Sequence, residues 1–200
     1  MFDFHTHRLD TPPGTGIVCL PQDALLHTDA WLSPAAGSPV QRLPRAAEGA
    51  LYAVGIHPWW VAQPDFDLAR HLHAVERLAA LPEAVQLGEC GLDTVQGDGD
   101  ERAAAPLETQ IEVFRAMVGI SESCGKPLTI HCVKTYDQLL RLKKQLRPRQ
   151  QWTVHGFRGG PALARQLLDA GIDLSFEPRH NVQSYALTPP ERRHDETDAL

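Results

Sequence analysis

Gly125-Lys126-Pro127-Leu128-Thr129-Ile130-His131-Cys132 is the stretch from which the fold can be read. Before it, Leu107, Ile111, Phe114, Met117 and Val118 recur at helical spacing behind Pro106, and Gly125 supplies the stop. Leu128-Thr129-Ile130 is then a short apolar, β-branched run, as expected of a strand buried on both faces, and it ends directly on His131. Beyond it, Leu139, Leu140, Leu142 and Leu146 return to helical spacing. One helix–strand–helix period is thus visible.

The same period extends in both directions. Strands are predicted at Phe2–His5, Leu51–Val54 (closed by Gly55), Val85–Gly88, Trp152–Val154 and Ile172–Phe176. Helices are predicted around Leu68, Leu72, Val75 and Leu78 after an Asp65–Asp67 start, and around Leu163, Leu167 and Leu168 before Gly171. His71 and His73 fall in the first of these and read as helix surface. Helices between parallel strands imply right-handed βαβ units and an α/β fold. Two regions depart from the rhythm. Thr11–Glu48 is rich in Pro, Ala and Gly, with little helix and one weak strand, near Ile17–Leu20 or Leu25–His27. Thr188–Leu200 is strongly polar. No repeat or linker divides the chain, so residues 1–200 read as one domain.

Composition narrows the class. The chain has 200 residues, 42% hydrophobic and 22% charged, ordinary for a globular protein. No apolar run approaches the roughly 20 residues that span a bilayer, which argues against a membrane protein. Met1-Phe2-Asp3-Phe4-His5 has no basic n-region and no apolar h-region, which argues against a secretory signal. Cys19, Cys90, Cys124 and Cys132 are scattered, pointing to a reducing, cytoplasmic setting rather than a disulfide scaffold. A net charge of −6 confines any nucleic-acid contact to a local patch and favours a short single-stranded end over a long duplex. A monomer is expected.

The informative feature is where the histidines fall. His5 and His7 end the first strand, Glu89 the Val85 strand, His131 the Leu128 strand and His155 the Trp152 strand. In an α/β barrel these carboxyl ends converge on one face. Residues two apart on a strand point the same way, so the His5 and His7 imidazoles can reach one ion. A lone His-x-His is weak, since a histidine at a strand end is more often a hydrogen-bonded structural residue. Five such residues at four strand tips, with one more carboxylate, suffice for two metal ions. Mixed imidazole and carboxylate donors suit zinc, manganese or iron(II), whereas an all-oxygen magnesium site uses fewer histidines. The expectation is two divalent ions bridged by Glu89, with zinc, manganese and magnesium all kept open.

Phe2-Asp3-Phe4-His5-Thr6-His7, Val54-Gly55-Ile56-His57-Pro58-Trp59-Trp60, Gly88-Glu89-Cys90-Gly91-Leu92-Asp93, Gly125–Cys132, Val154-His155-Gly156-Phe157-Arg158-Gly159-Gly160 and Glu196-Thr197-Asp198 together resemble, in order and spacing, the TatD-related hydrolases. The resemblance covers essentially the whole chain. It implies a compact (β/α)8 TIM-like barrel of the metal-dependent hydrolase type, acting on nucleic-acid phosphodiesters as a DNase. It implies metal ligands at His5, His7, Glu89, His131, His155 and Asp198. It also implies a contact from His57 to a substrate phosphate or to bound solvent. The chain departs from the family pattern at Thr94, where an aromatic is common, and at Arg158, where a small serine is common. Before Asp198 the family has an apolar strand; here it is Glu191-Arg192-Arg193-His194-Asp195, and burying those charges is costly. That leaves open an incomplete last β/α unit and the placement of Asp198.

The mechanism expected from these residues is hydrolysis at phosphorus by an activated water, with Asp198 taking its proton, Glu89 and His57 assisting, and Lys134 and Arg158 at the mouth contacting phosphate. Trp59 and Trp60 either stack on a base or pack at the barrel rim. Cys90 and Cys132 read as small buried packing residues. Two other classes compete. One is metal-dependent hydrolysis of an amide or an ester such as an aminoacyl-RNA bond. That branch often carries a bridging lysine, and Glu89 stands in its place. The other is a non-catalytic binding module on a decayed barrel.

Overall fold

The computed structural model describes residues 2–33, 36, 43, 48–95 and 105–199. Every strand read from the sequence forms, because each short apolar run is covered on both faces. They are β1 (Asp3–Thr6), β3 (Tyr52–Val54), β4 (Ala84–Asp93), β5 (Leu128–Val133), β6 (Trp152–Val154) and β7 (Ile172–Phe176), joined by β2 (Gly16–Cys19) and β8 (Arg193–Asp195). The eight lie side by side in chain order, and every ladder is parallel. All residues of β2, β3, β6 and β7 are buried, as a sheet walled by helices requires.

The sheet curls until its edges meet. Asp198 N–H donates to the His5 carbonyl (3.1 Å), and His7 N–H donates to the Ala199 carbonyl (2.8 Å). The Thr197 amide and hydroxyl donate to the Asp3 carboxylate at 3.0 and 2.6 Å. This seam brings the carboxyl ends of β1 and β8 together at one mouth, in a nearly closed eight-stranded barrel.

Outside the barrel lie α1 (Gln22–Leu26), α2 (Thr28–Leu32), α3 (Leu68–Ala79), α4 (Leu107–Cys124), α5 (Tyr136–Leu146), α6 (Pro161–Asp169) and α7 (Val182–Leu187). Their ends follow local chemistry. The Asp67 carboxylate accepts from Arg70 N–H at 2.7 Å and caps α3. Gly125 ends α4 in the left-handed conformation, φ 71°, and Pro161 opens α6. Val75, Leu78, Phe114, Met117, Leu139 and Leu167 pack inward onto the strands.

Several readings change. His71 is not helix surface: it is buried, its Nδ1 is 2.7 Å from the Asp67 carbonyl, and its ring lies against Phe66. Only His73 faces outward. In Thr11–Glu48, Ile17–Leu20 holds the strand, whereas Leu25–His27 is the end of α1 and the junction to α2. Residues 34–35, 37–42 and 44–47 of that region lie outside those described. β4 runs five residues past Gly88, so Glu89 sits within the strand, where the pairing with β5 shifts register between Leu87 and Cys90.

The polar tail does form β8. Its charged side chains are half-buried and partnered: Arg193 covers the Tyr185 ring at 4.1 Å, His194 stacks on Phe4 at 4.3 Å, and Asp195 accepts from the Tyr185 hydroxyl at 3.0 Å. The penalty for burying bare charges therefore does not arise.

β4 and β5 approach so closely at the mouth that only glycine fits at position 91. Gly91 has φ 150°, and a Cβ there would lie 1.9 Å from the His131 carbonyl oxygen. Gly91→Ala should destabilise the protein by about 3 kcal/mol or more, the upper range for overpacking, whereas Asp67→Ala should cost about 1 kcal/mol. Urea denaturation measures both; a Gly91→Ala protein of unchanged stability contradicts this packing.

Candidate metal centre

Glu89 is 4% exposed and projects into the mouth. Its two oxygens face different groups. Oε1 lies 2.7 Å from His155 Nε2, 2.8 Å from His131 Nδ1 and 3.3 Å from His57 Nε2. Oε2 lies 3.5 Å from His5 Nε2 and 3.4 Å from His7 Nε2. Asp198 Oδ1 stands across from the second pair, 3.6 Å from His5 Nε2 and 3.3 Å from His7 Nε2. Residues from five strand tips or the loops just after them therefore meet around one carboxylate. Strand parity works as expected for β1, whose end turns His5 and His7 to the same side, their Nε2 atoms 3.3 Å apart.

Electrostatics follow from this crowding. Burial works to raise the Glu89 carboxyl, but His155, His57 and His131 outweigh it and hold the group well below the usual carboxylate range. Burial likewise opposes charge on His7, yet Asp198 and Glu89 lift its imidazole to about 9. His57 is held below its ordinary value by burial, only partly offset by Glu89. Its Nδ1 accepts from the Trp59 amide at 3.1 Å, so the neutral ring carries its proton on Nε2 and donates toward Glu89. That makes His57 a hydrogen-bond donor at the centre.

The donor set fits divalent cations. His5, His7, Cys19 and Glu89 present ligand atoms within 4.8 Å of one another; so do His5, His155 and Asp198, and so do His57, Glu89 and His131. His5 Nδ1 and His155 Nδ1 are buried without a hydrogen-bond partner, the latter 3.4 Å from Glu196 Oε1. Imidazoles and carboxylates gathered in this way are zinc- or manganese-type donors.

Beside the cluster, a cavity of about 450 Å³ is lined by His131, His155 and Asp198 together with Lys134, Tyr136 and Arg158. Lys134 is exposed and makes no ion pair among the described residues. Arg158 Nη2 donates to both Glu177 carboxylate oxygens, at 2.7 and 2.6 Å, while its side chain stays largely exposed. Lys134 and Asp198 both hold left-handed backbone conformations, φ 56° and 48°. Such strain in non-glycine residues concentrates at functional sites. Trp59 packs edge-on to His57 at 4.7 Å and donates its indole N–H to Asp93. Cys90 and Cys132 are buried and protonated, the Cys132 thiol pushed up to about 12 by burial.

Sequence reasoning gave no role to Asp93, Glu196, Glu177 or Cys19. Asp93 lies four residues beyond Glu89 on one strand, a parity that could have found it. Glu196 accepts from Gly156 N–H at 2.6 Å, a loop contact no local pattern announces. Cys19 ends β2 and its sulfur accepts from Glu89 N–H at 3.3 Å, so strand-tip placement applied to the weak second strand would have reached it.

A family model described as TatD related DNase matches residues 29–199. The chain belongs to this family. Among curated relatives it is similar to a 3'-5' ssDNA/RNA exonuclease TatD of Erwinia billingiae, 29% identical over 72% of this chain and 56% of that one. It is also similar to an uncharacterized metal-dependent hydrolase TatD of Mycobacterium tuberculosis, 31% identical over 74% and 57%. The chain thus spans little more than half the length of these relatives. Among solved structures, a TatD homologue of Escherichia coli K12 superposes with a TM-score of 0.71 at 21% identity, covering 99% of this chain and 78% of its own. A TatD-family hydrolase of Entamoeba histolytica gives 0.63 at 22%, covering 92% and 60%. Both show the family barrel. Among the described residues no helix is long and apolar enough to cross a membrane.

Glu89 faces both halves of the cluster, so its loss should be felt by both. Glu89→Gln should weaken zinc or manganese retention by more than about 100-fold, beyond the 10- to 100-fold typical of residues that merely support a ligand. Equilibrium dialysis with elemental analysis measures this, with circular dichroism to confirm the fold. Undiminished retention contradicts the assignment.

Proposed function

We propose that this chain is a metal-dependent phosphodiesterase that hydrolyses nucleic acid from a free single-stranded end. One observation carries the reading: Glu89 presents one oxygen to His5 and His7 and the other to His57, His131 and His155, as a carboxylate shared by two cation sites does. On this reading His5, His7 and Asp198 hold one ion, and His131 and His155 the other. Two divalent ions there would supply Lewis acidity at both oxygens of a displacement at phosphorus and lower the pKa of water.

The chain's own residues do the rest. Asp198 is one-third exposed at the side chain and lines the cavity, and on this reading it accepts a proton from the attacking water. His57 donates from Nε2 inside the cluster. Lys134 offers an ammonium to the phosphate, while Arg158 shapes the rim through Glu177. Relatives named as single-stranded DNA/RNA exonucleases, together with the net charge of −6, support a flexible end rather than a long duplex as substrate. The competing ester or amide chemistry loses ground because a glutamate, not a lysine, occupies the shared position.

The test is a parallel assay of manganese- and zinc-loaded protein on a 5'-labelled single strand, a blunt duplex and an aminoacyl ester. The single strand should be shortened and the ester left intact; ester hydrolysis alone reverses the conclusion. Asp198→Asn should lower kcat by about 10²- to 10⁴-fold, the usual worth of a general base. Lys134→Ala should act mainly on KM. A Lys134→Ala protein with unchanged KM removes Lys134 from the substrate path.

A further inference from the structure

The Asp93 carboxylate is 2% exposed and fully engaged. Its Oδ1 accepts from the Val95 amide at 2.8 Å. Its Oδ2 accepts from the Trp59 indole N–H at 2.9 Å and lies 2.9 Å from His131 Nε2. The backbone beneath it is clamped as well: Asp93 N–H donates to Gln110 Oε1 and its carbonyl accepts from Gln110 Nε2, both at 2.8 Å. Gln110 is 1% exposed and also donates to the Ala105 carbonyl at 2.7 Å, so the unit has little room to turn.

The chemistry of the partners fixes the proton positions. An amide N–H and an indole N–H are donors with no alternative state, so both Asp93 oxygens are acceptors. His131 Nε2 faces one of them and is therefore N–H. In the neutral ring the lone pair then sits on Nδ1, and Nδ1 lies 2.8 Å from Glu89 Oε1. Two acceptors so close require a cation or a proton between them. No other imidazole of the cluster is set in this way: His155 Nδ1 is 3.4 Å from Glu196 and without a hydrogen bond.

We propose that Asp93, held by Trp59, Val95 and Gln110, is a positioning residue that locks His131 as the Nε2–H tautomer and so keeps Nδ1 open to a cation beside Glu89. The proposal rests on the metal reading above. A carboxylate is required at this position. In Asp93→Asn the single amide oxygen can serve Val95 or the Trp59 and His131 side, but not both. With its NH₂ toward His131, the imidazole proton moves to Nδ1, where it opposes the cation.

The experiment reads tautomer and affinity without substrate. Long-range ¹H–¹⁵N correlation of the zinc-loaded protein, with the His131 signals identified by their loss in His131→Gln, should show a proton on Nε2. Chelator competition on Asp93→Asn should give zinc or manganese affinity lower by about 10- to 100-fold, with the thermal midpoint of the metal-free protein little changed. Wild-type affinity in Asp93→Asn, or a His131 proton on Nδ1 in the wild type, overturns the positioning role and leaves the metal centre standing. A wild-type protein that binds neither ion overturns both readings. If Asp93→Asn does not fold, the wild-type tautomer decides alone.

Discussion

A carboxylate withdrawn from water stays ionised only where enough donors or cations surround it, since an unpaired buried charge costs several kcal/mol. Glu89 is that carboxylate here, and the mouth of the barrel is organised around it. Parallel strands all point their carboxyl ends one way, so β1, β3, β5 and β6, or the loops that follow them, can each deliver an imidazole to the glutamate of β4. The seam between β8 and β1 then carries Asp198 to His5 and His7. Without barrel closure the second carboxylate would have no fixed place.

Outside this ring lies another, which sets orientation. Asp93 holds one nitrogen of His131, the Trp59 amide holds Nδ1 of His57, and the Gly156 amide and the Ser175 hydroxyl hold Glu196 behind His155. Arg158 and Glu177 pair across the loops after β6 and β7. The cavity wall is thereby left with Lys134 as its cation outside an ion pair among the described residues. Charge in this mouth is thus largely paired among the described residues.

The strand-by-strand order was legible in the sequence because short β-branched runs, glycine and proline stops and helical spacing agree locally. The centre was legible because histidines fall at the tips of those runs. What escaped is what depends on partners remote in the chain. The tail Arg193-His194-Asp195 looks unfit for a strand until Tyr185 and Phe4 are brought beside it. Arg158 reads as a lone loop arginine until Glu177, 19 residues on, is seen to bind it. His71 is a different case, since it shares a helix face with Val75 and Leu78, and that spacing already points it inward. Glu89 reads as a strand end because the apolar Val85 run stops at Gly88, whereas the register shift carries β4 on to Asp93.

Anomalous diffraction from crystals grown with zinc or manganese would locate any cation at Glu89. Two peaks are expected within bonding distance of Glu89, one on Oε2 toward His5, His7 and Asp198 and one on Oε1 toward His131 and His155. A lone peak that does not touch Glu89, or imidazoles turned to other partners with no peak between them, would contradict this arrangement.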